Sequence, residues 1–160
     1  MRVLDEIDRR LLTELQDDAR LTRSELGQRV GLSPSAVADR LRRLEDSGTI
    51  VGYRAVIDAT AVGFGMAAIL RIRPVMGQLK KIVEVAANTQ EVIECQRVTG
   101  EDCYVMKIVF RSIDDLEGLI DRFTPFGQTT TSIVNATPVP QRGIPIDDPN
   151  GSPRRASRDS

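Results

Sequence analysis

The chain has 160 residues, a formal net charge of −1, 41% hydrophobic residues and 28% charged residues, which predicts one or two small soluble domains with modest cores. No apolar run approaches the roughly 18 residues that span a membrane, and the N-terminal residues lack the apolar stretch of a signal peptide. We therefore expect a cytoplasmic protein that has no contact with a membrane.

Catalytic and metal-binding classes are disfavoured by what the sequence lacks. The chain has no histidine, which removes the commonest general base and the commonest metal and haem ligand. Neither a phosphate-binding glycine loop nor a dinucleotide-type glycine pattern is present. The two cysteines, Cys95 and Cys103, are too few for a disulfide framework and are expected to be buried structural thiols. We expect no enzyme, no catalytic residues, no metal and no cofactor.

The first predicted element is a helix over residues 5–17. Asp5 is a candidate N-cap, and the acidic first turn suits the positive end of the helix dipole. Apolar residues at helical spacing predict one buried face, whereas Asp8 is grouped with the polar residues. This face is expected to form the third wall of the helix pair that follows. The apolar set is Leu4, Ile7, Leu11, Leu12 and Leu15.

Residues 21–48 predict two short helices joined by a tight turn at Gly31. Glycine suits this turn because it adopts positive φ without a Cβ clash. Ser33 is expected to cap the second helix, and Pro34 fits its first position, where an N–H would be unpaired anyway. Gly27 is small enough to let the two helices approach. A helix-turn-helix of this form presents its second helix to the DNA major groove.

The distribution of charge strengthens the DNA-binding prediction. Between residues 20 and 44, six arginines stand against two carboxylates. A local positive patch on a nearly neutral chain is the electrostatic footprint of a phosphate-binding surface. The groove-facing candidates are Ser35, Ala36, Asp39, Arg42 and Arg43; Arg23, Ser24 and Arg40, the last nearer the buried edge, are candidates for phosphates, and the capping Ser33 completes the DNA-binding set.

Residues 49–58 (TIVGYRAVID) follow the second helix. Their β-branched residues and Tyr53 predict a short strand or strand pair, either a small wing or a linker strand. Gly63-Phe64-Gly65 marks a boundary, after which the helix-rich pattern changes to alternating strands and helices.

The second domain is predicted to be a βαββαβ, ferredoxin-like α+β fold. Strands are expected at residues 66–73, 91–99, 102–111 and 128–139, and helices at 77–88 and 113–123. The two strands around Gly100 place Cys103 opposite Val98. The buried helix faces are predicted to be Leu79, Ile82, Val83 and Ala86 in the first helix, and Leu116, Leu119, Ile120 and Phe123 in the second.

Helices in this fold cover only one face of the sheet. Val92, Val105, Val109 and Val134 suggest that the other face is apolar as well, and its usual cover is a second copy of the sheet, so we expect a homodimer. Residues 141–160 are rich in Pro, Gly, Ser, Asp and Arg and predict a disordered tail. The expected domains are residues 1–50 (helix-turn-helix), 51–65 (linker and hinge), 66–140 (ferredoxin-like) and 141–160 (tail).

This organisation resembles the Lrp/AsnC (leucine-responsive, feast/famine) family of transcriptional regulators. The matching stretches are LDEIDRRLLTELQDDAR, ELGQRVGLSPSAVADRLRRLEDSGTIVGYRAVID, the VTGEDCYVMKI hairpin and the late TSIV strand, and the likeness covers roughly residues 4–140. The resemblance implies a winged-type helix-turn-helix joined by a linker strand to a ferredoxin-like domain, called RAM in this family.

The resemblance also implies partners and an effector. Family members bind double-stranded DNA as homodimers or larger assemblies, often octamers of four dimers, and commonly bind an amino acid between dimers. The effector candidates carried over to this sequence are Gly100, Glu101, Asp102 and Cys103 in the loop, with Thr130, Thr131 and Ser132 nearby. Here Cys103 occupies the place where the family commonly has Asp, and Asp102 lies one residue earlier. Either Asp102 serves the ligand amine or backbone groups hold the effector.

Two other functions are weighed against a sequence-specific regulator. An architectural DNA-binding protein without an effector would bind by counterion release alone and would show little sequence preference. A tetrapyrrole-pathway enzyme on the same fold is disfavoured because that chemistry depends on histidine, which this chain lacks.

Overall fold

The structure, a computed structural model, describes residues 4–146 of the chain. These residues form two compact units. The first contains the described residues up to Ala55 together with those from Pro140, and the second contains Val56–Val139.

The first unit consists of three helices: α1 (Glu6–Asp17), α2 (Arg23–Val30) and α3 (Pro34–Asp46). Asp5 caps α1 by accepting from the Asp8 N–H at 2.7 Å. At the start of α2, the side chains of Thr22 and Glu25 each accept from the other's backbone N–H, which forms a capping box. The predicted N-cap of the first helix, Asp5, is confirmed.

The turn between α2 and α3 has the predicted chemistry. Gly31 ends α2 with φ of 75° in the left-handed region, which only glycine adopts without strain. Ser33 caps α3 by accepting from the Ala36 N–H at 3.2 Å, and Pro34 occupies the first helical position. The turn at Gly31 and the cap at Ser33 are both confirmed.

The core of this unit is small and apolar. Leu11, Leu26, Val30 and Val37 are buried, and Ile7 and Leu15 pack against them. Gly27 is buried where α2 passes the backbone that leads into α3: a Cβ atom there would lie 2.4 Å from the carbonyl oxygen of Leu32. The prediction that a small residue permits this approach is confirmed.

Asp8 departs from the prediction. The sequence pattern groups it with the polar face of α1, yet only 2% of it is exposed. Its carboxylate accepts a hydrogen bond from Arg40 of α3 at 2.7 Å. A buried charge is stable only when paired, so this contact with a distant residue overrides the local pattern.

The predicted linker strand is not formed in the single chain. Residues 51–57 are neither helix nor strand, because no neighbouring strand pairs with them among the described residues. Val51 and Val56 are 94% and 95% exposed. Tyr53 is tied to the end of α3 by a hydrogen bond of 2.9 Å from its hydroxyl to Glu45, and burial, followed by this bond, raises its pKa to about 12.

The second unit has the predicted βαββαβ order. Its elements are β1 (Met66–Pro74), α4 (Leu79–Ala87), β2 (Val92–Arg97), β3 (Tyr104–Phe110), α5 (Ile113–Asp121) and β4 (Gly127–Ile133). The strands form an antiparallel sheet in the order β2-β3-β1-β4. The predicted α+β fold is confirmed.

Both helices cover the same face of this sheet. Its core joins Leu70 and Ile72 of β1 and Met106 and Ile108 of β3 to side chains from α4 and α5. The predicted face of α5 is confirmed: Leu116, Leu119 and Phe123 are buried, and Ile120 packs against the core.

Several details differ from the sequence-based expectations. Val83 of α4 is 47% exposed, and Val85 packs against the core instead. Val92 also packs against the helix-covered core, because its partner in the sheet is Ile108. Cys95 is exposed and Cys103 only partly buried, so the prediction of two buried thiols is wrong; Cys95 lies on β2, which is an edge strand.

The ends of the last strand and of the chain also differ. β4 stops at Ile133, short of the predicted residue 139. Ile133 pairs with Ala68, near the start of β1, so a strand that continued to residue 139 would extend beyond its partner. Cys103 lies opposite Val98 as predicted, with its carbonyl accepting from the Val98 N–H at 2.9 Å. Of the predicted tail, residues 147–160 lie outside the described residues; before them, the Ile144 carbonyl accepts from the Gln16 amide at 3.1 Å.

Replacing Gly27 with Ala should destabilise the first unit. The added methyl group would meet backbone rather than a flexible side chain, and overpacking of this kind costs roughly 1–3 kcal/mol. The measurement is the free energy of unfolding from denaturant titration followed by circular dichroism. Gly118→Ala in α5 is the matched control, because its Cβ would meet nothing within 4 Å and helix propensity favours Ala there. Equal effects of the two substitutions would contradict the close approach.

Candidate nucleic-acid interface and effector site

The outward face of α3 is set by its buried side. Val37 and Leu44 are buried in the first unit, and residues about half a helical turn away from this buried side point to the opposite face. The structure places the groove candidates there: Ala36 is partly buried, and Ser35, Asp39, Arg42 and Arg43 are exposed.

The two exposed arginines of α3 are only loosely held. Arg42 lies 3.4 Å from the carboxylate of Asp39, with both side chains about two-thirds exposed, and Arg43 donates to the Asp39 carbonyl at 3.3 Å. Exposed ion pairs of this kind contribute about 1 kcal/mol or less. Both guanidinium groups can therefore exchange these partners for DNA at little cost.

The remaining DNA-binding candidates lie at the starts of α2 and α3. Arg23 and Ser24 are exposed in the first turn of α2, where free backbone N–H groups and the helix dipole favour anions such as phosphate. The Ser33 hydroxyl caps α3 and lies 3.1 Å from the Ser35 hydroxyl. Helix capping is therefore sufficient to explain why a serine stands at this position.

Arg40, a predicted phosphate contact, is mostly buried and is held by two carboxylates of its own chain. Its side chain is 19% exposed, and Nη1 donates to Asp5 at 2.6 Å and to Asp8 at 2.7 Å. These two hydrogen bonds raise the pKa of Arg40, and the bond from Arg40 is the main cause of the lowered pKa of Asp5. Arg40 is therefore not among the exposed arginines of α3.

A second arginine of the basic patch is also held by a carboxylate. Arg29 donates to Glu14 of α1 at 2.5 Å, and this bond raises the pKa of Arg29. The positive charge near the DNA-facing helix is thus carried by the exposed arginines Arg20, Arg23, Arg42 and Arg43. The patch is smaller than the sequence count suggests, but it remains positive.

In the second unit, the loop at Gly100 lies at one end of the sheet, whereas Thr130 and Ser132 pair with residues in the middle of β1. Gly100, with φ of 113°, turns the chain between β2 and β3, and Thr130 and Ser132 lie on β4. Strand β1 separates β3 from β4, so these two strands are roughly 10 Å apart at the usual strand spacing. Within one chain they flank β1 and are not in contact.

Thr131, a predicted effector contact, faces the opposite side of the sheet from Thr130 and Ser132. Its partner on β1 is Leu70, which is in the helix-covered core, whereas Thr130 and Ser132 are paired with Arg71 and Ile69. Successive residues of a strand point to opposite faces. Thr131 therefore cannot present its hydroxyl on the same face as its two neighbours.

Two arginines that lie between the candidate groups were missed at the sequence level. Arg71 is paired with Thr130 on one side and Val105 on the other, and Arg73 forms an ion pair with Glu101 of the loop. Both arginines are on the sheet face that the helices leave uncovered. The sequence did contain a signal for them: the two arginines of the segment RIR are two residues apart in a predicted strand, so they point to the same face of the sheet.

A separate cleft of about 490 Å³ opens where β3 meets α5. Arg111 lies 4.9 Å from the centre of the Phe64 ring, and Arg122 lies 3.8 Å from Glu91. None of the predicted effector residues lines this cleft.

Metal-binding clusters and membrane-spanning helices are absent from the described residues 4–146. In the described part of the chain, no three histidine, cysteine or carboxylate side chains are grouped so that they could hold a metal ion. No helix among residues 4–146 is both long and apolar enough to cross a bilayer.

Comparison with known proteins matches both units. Residues 4–51 match the winged helix-turn-helix DNA-binding family, and residues 67–144 match the Lrp/AsnC ligand binding domain. The regulator LrpA of Mycobacterium tuberculosis is 42% identical over 120 residues, which are 74% of this chain and 80% of LrpA. LrpC of Bacillus subtilis is 30% identical over 131 residues, 82% of this chain and 91% of LrpC.

A solved structure extends the likeness to the whole architecture. The feast or famine regulatory protein of M. tuberculosis complexed with L-methionine is 38% identical, with a TM-score of 0.83 over 89% of this chain and 99% of that one. The helix-turn-helix and the ferredoxin-like unit thus define a DNA-binding regulator with a ligand-binding domain. The chain belongs to the Lrp/AsnC family of transcriptional regulators, which confirms the resemblance noted from the sequence.

Substituting Asp5 with Asn should destabilise the first unit at neutral pH but not in acid. Arg40 lowers the pKa of Asp5, so the ionised carboxylate adds stability above its ordinary pKa, and this contribution is lost as the pH falls through the lowered value. At pH 6 we expect the unfolding free energy of the variant to be lower than that of the wild type by roughly 1 kcal/mol, a small value because the Asp5 side chain is 53% exposed. This difference should shrink below about pH 4. Denaturant titrations from pH 2.5 to 7 measure it.

The matched comparison is the same substitution in an Arg40→Gln background. Without the guanidinium group, Asp5→Asn should lose most of its dependence on pH. A pH dependence that is the same in both backgrounds would show that Arg40 does not set the pKa of Asp5.

Proposed function

We propose that this regulator recognises a specific DNA sequence through α3 and that binding of an amino acid to its second unit modulates this recognition. The observation that carries the proposal is the capped α3, whose outward face holds Arg42 and Arg43 in weak, exchangeable contacts. A protein that acts on DNA in this way would work in the cytoplasm, and no chemical reaction is part of the proposal.

The two kinds of DNA contact are divided between the helices. Ser35, Ala36, Asp39, Arg42 and Arg43 would face the base edges in the major groove, where hydrogen bonds specify sequence. Arg23 and Ser24 at the start of α2 would hold phosphates, which position the protein but carry no sequence information.

The second unit is proposed to form a homodimer through the uncovered face of its sheet. Ile69 and Val105 are only partly buried there, and Val109 is 8% exposed although no helix covers it. Exposed apolar residues in the linker, such as Val51 and Val56, add surface that a second copy could cover. A two-fold dimer would read a near-palindromic site with half-sites about one helical turn apart. An octamer of four such dimers is the larger assembly proposed.

The effector proposed is an amino acid held near the loop at Gly100. Supporting it are the match of residues 67–144 to a ligand-binding domain and a 38% identical relative whose structure contains L-methionine. The loop residues Gly100–Cys103 and the hydroxyls of Thr130 and Ser132 are candidate contacts; Arg71 and Arg73, between them, supply positive charge suited to a carboxylate. The ligand would act by binding one assembly better than another.

Replacing Arg42 with Ala should reduce sequence discrimination. If Arg42 reads a guanine, the preference for a selected duplex over random DNA should fall by roughly 1–3 kcal/mol. Fluorescence anisotropy with a duplex enriched from a random library by the wild-type protein measures this preference. Lys81→Ala, an exposed lysine on α4, is the matched control for loss of one positive charge.

The outcomes for Arg42 separate the competing functions. Equal losses on selected and random DNA would show that Arg42 contacts phosphate only. If the wild-type protein enriches no duplex, and its affinity follows salt concentration alone, architectural DNA binding would replace sequence-specific recognition.

Adding the correct amino acid should stabilise the protein and change its assembly. A ligand at 100 times its Kd stabilises the folded state by about 2.7 kcal/mol, so each of the twenty amino acids can be screened by its shift in Tm. Sedimentation velocity on the same samples should give a dimer or larger assembly, with a distribution that the effective amino acid alters. Absence of any shift with all twenty would reject amino-acid sensing, and a monomer at every concentration would reject the dimer.

Asp102→Asn tests the residue that departs from the family pattern. If Asp102 holds the ligand amine, this variant should lose most of the Tm shift, whereas Asp121→Asn at the end of α5 should keep it. A full shift in the Asp102 variant would assign the amine to backbone groups instead.

A further inference from the structure

Arg40 is the arginine of α3 that turns inward. Its side chain is 19% exposed, against 69% for Arg42 two residues later on the same helix. One nitrogen, Nη1, donates to both Asp5 and Asp8 at 2.6 and 2.7 Å. The two carboxylates lie at the start of α1, so Arg40 joins the beginning of one helix to the middle of another.

This contact is directional, unlike the apolar packing around it. The core of this unit contains Leu11, Leu26, Val30 and Val37, and these apolar contacts select the buried side of α3, but they are non-directional and define its rotation less sharply than hydrogen bonds do. Charge-assisted hydrogen bonds require defined distances and angles. Because only 2% of Asp8 is exposed, a rotation of α3 that withdrew Arg40 would leave a buried carboxylate without this partner, which is strongly disfavoured.

Rotation of α3 matters because its recognition residues lie on the same rigid helix. Asp39 and Arg43 are one and three residues away from Arg40. At the outer helix radius of about 5–6 Å, a rotation of about 20° would move their side chains by roughly 2 Å. That displacement exceeds the tolerance of a hydrogen bond to a base edge.

We infer that Arg40 is a positioning residue for DNA recognition: through Asp5 and Asp8 it sets the rotation of α3, and it contacts neither base nor phosphate. The inference rests on the sequence-specific DNA binding proposed above. It explains why an arginine in the middle of the DNA-facing helix is held by carboxylates of its own chain. It also assigns a function to Asp8, an acidic residue buried within a unit that binds a polyanion.

The test compares selected with random DNA in the full-length protein. The probe is a duplex enriched from a random library by the wild-type protein, and a scrambled duplex of the same length serves as reference. Each variant is assayed by anisotropy across a salt series, at a temperature where circular dichroism shows it to be folded. Arg40→Gln and Asp8→Asn remove opposite charges from the same contact, so their effects on DNA affinity separate positioning from electrostatics.

Positioning predicts the same effect for both substitutions. Affinity for the selected duplex should fall about tenfold, the size of one lost base contact, and affinity for scrambled DNA should change less than about twofold. The slope of log affinity against log salt should stay at the wild-type value in both variants. The double variant should be no worse than either single variant, because all three remove one interaction.

Matched controls come from the same unit. Arg29→Gln breaks an arginine–carboxylate pair that lies outside α3 and should leave the preference for the selected duplex unchanged. If Arg40→Gln does not fold, Arg40→Lys and Asp5→Asn replace it, since each keeps part of the charged contact, and the same criteria apply.

Two results would overturn the inference. A salt slope reduced by about one in Arg40→Gln, with losses on both duplexes, would make Arg40 a phosphate contact. A lowered Tm without any change in the ratio of affinities would limit the contact to stability. A failure of the proposed sequence-specific DNA binding can be told apart from a failure of this inference, because the wild-type protein itself would then enrich no duplex.

Discussion

The buried carboxylate of Asp8 is the constraint around which the DNA-binding unit is arranged. A charge that is only 2% exposed must be paired, and Arg40 of α3 donates a hydrogen bond to it. This pairing joins the first and third helices. The apolar residues of α3 select the side of the helix that is buried, and the ion pair adds a directional contact on that buried side.

The second unit is governed by a different constraint, the two faces of its sheet. One face is buried under α4 and α5 and contains Leu70, Ile72 and Met106. The other combines apolar residues such as Ile69 and Val105 with Arg71 and Arg73, which suits both a second copy of the chain and a small charged ligand. In the proposed function these two properties act together, because a ligand shifts an equilibrium only by its differential affinity for the two states.

Local signals made most of the fold predictable. The turn at Gly31 and the cap at Ser33 depend on the conformational freedom and hydrogen bonding of single residues. The helical spacing in α5 likewise identified its buried residues Leu116 and Leu119. Predictions failed where the environment of a residue depends on a partner far away in the chain. Asp8 is buried because it pairs with a residue 32 positions away, and Val92 packs in the core because it is paired with Ile108 of β3.

The candidate sites divide along the same line. Composition and spacing alone determined that the chain has a DNA-binding helix pair, a βαββαβ unit and no histidine-based chemistry, because these depend on residue type and period. Only the tertiary structure decided that Arg40 is held by Asp5 and Asp8, that Thr131 faces away from Thr130, and that Arg71 and Arg73 lie between the effector candidates. The physical reason is that hydrogen-bond partners and strand registers join residues far apart in the chain, and sequence periodicity contains no information about them.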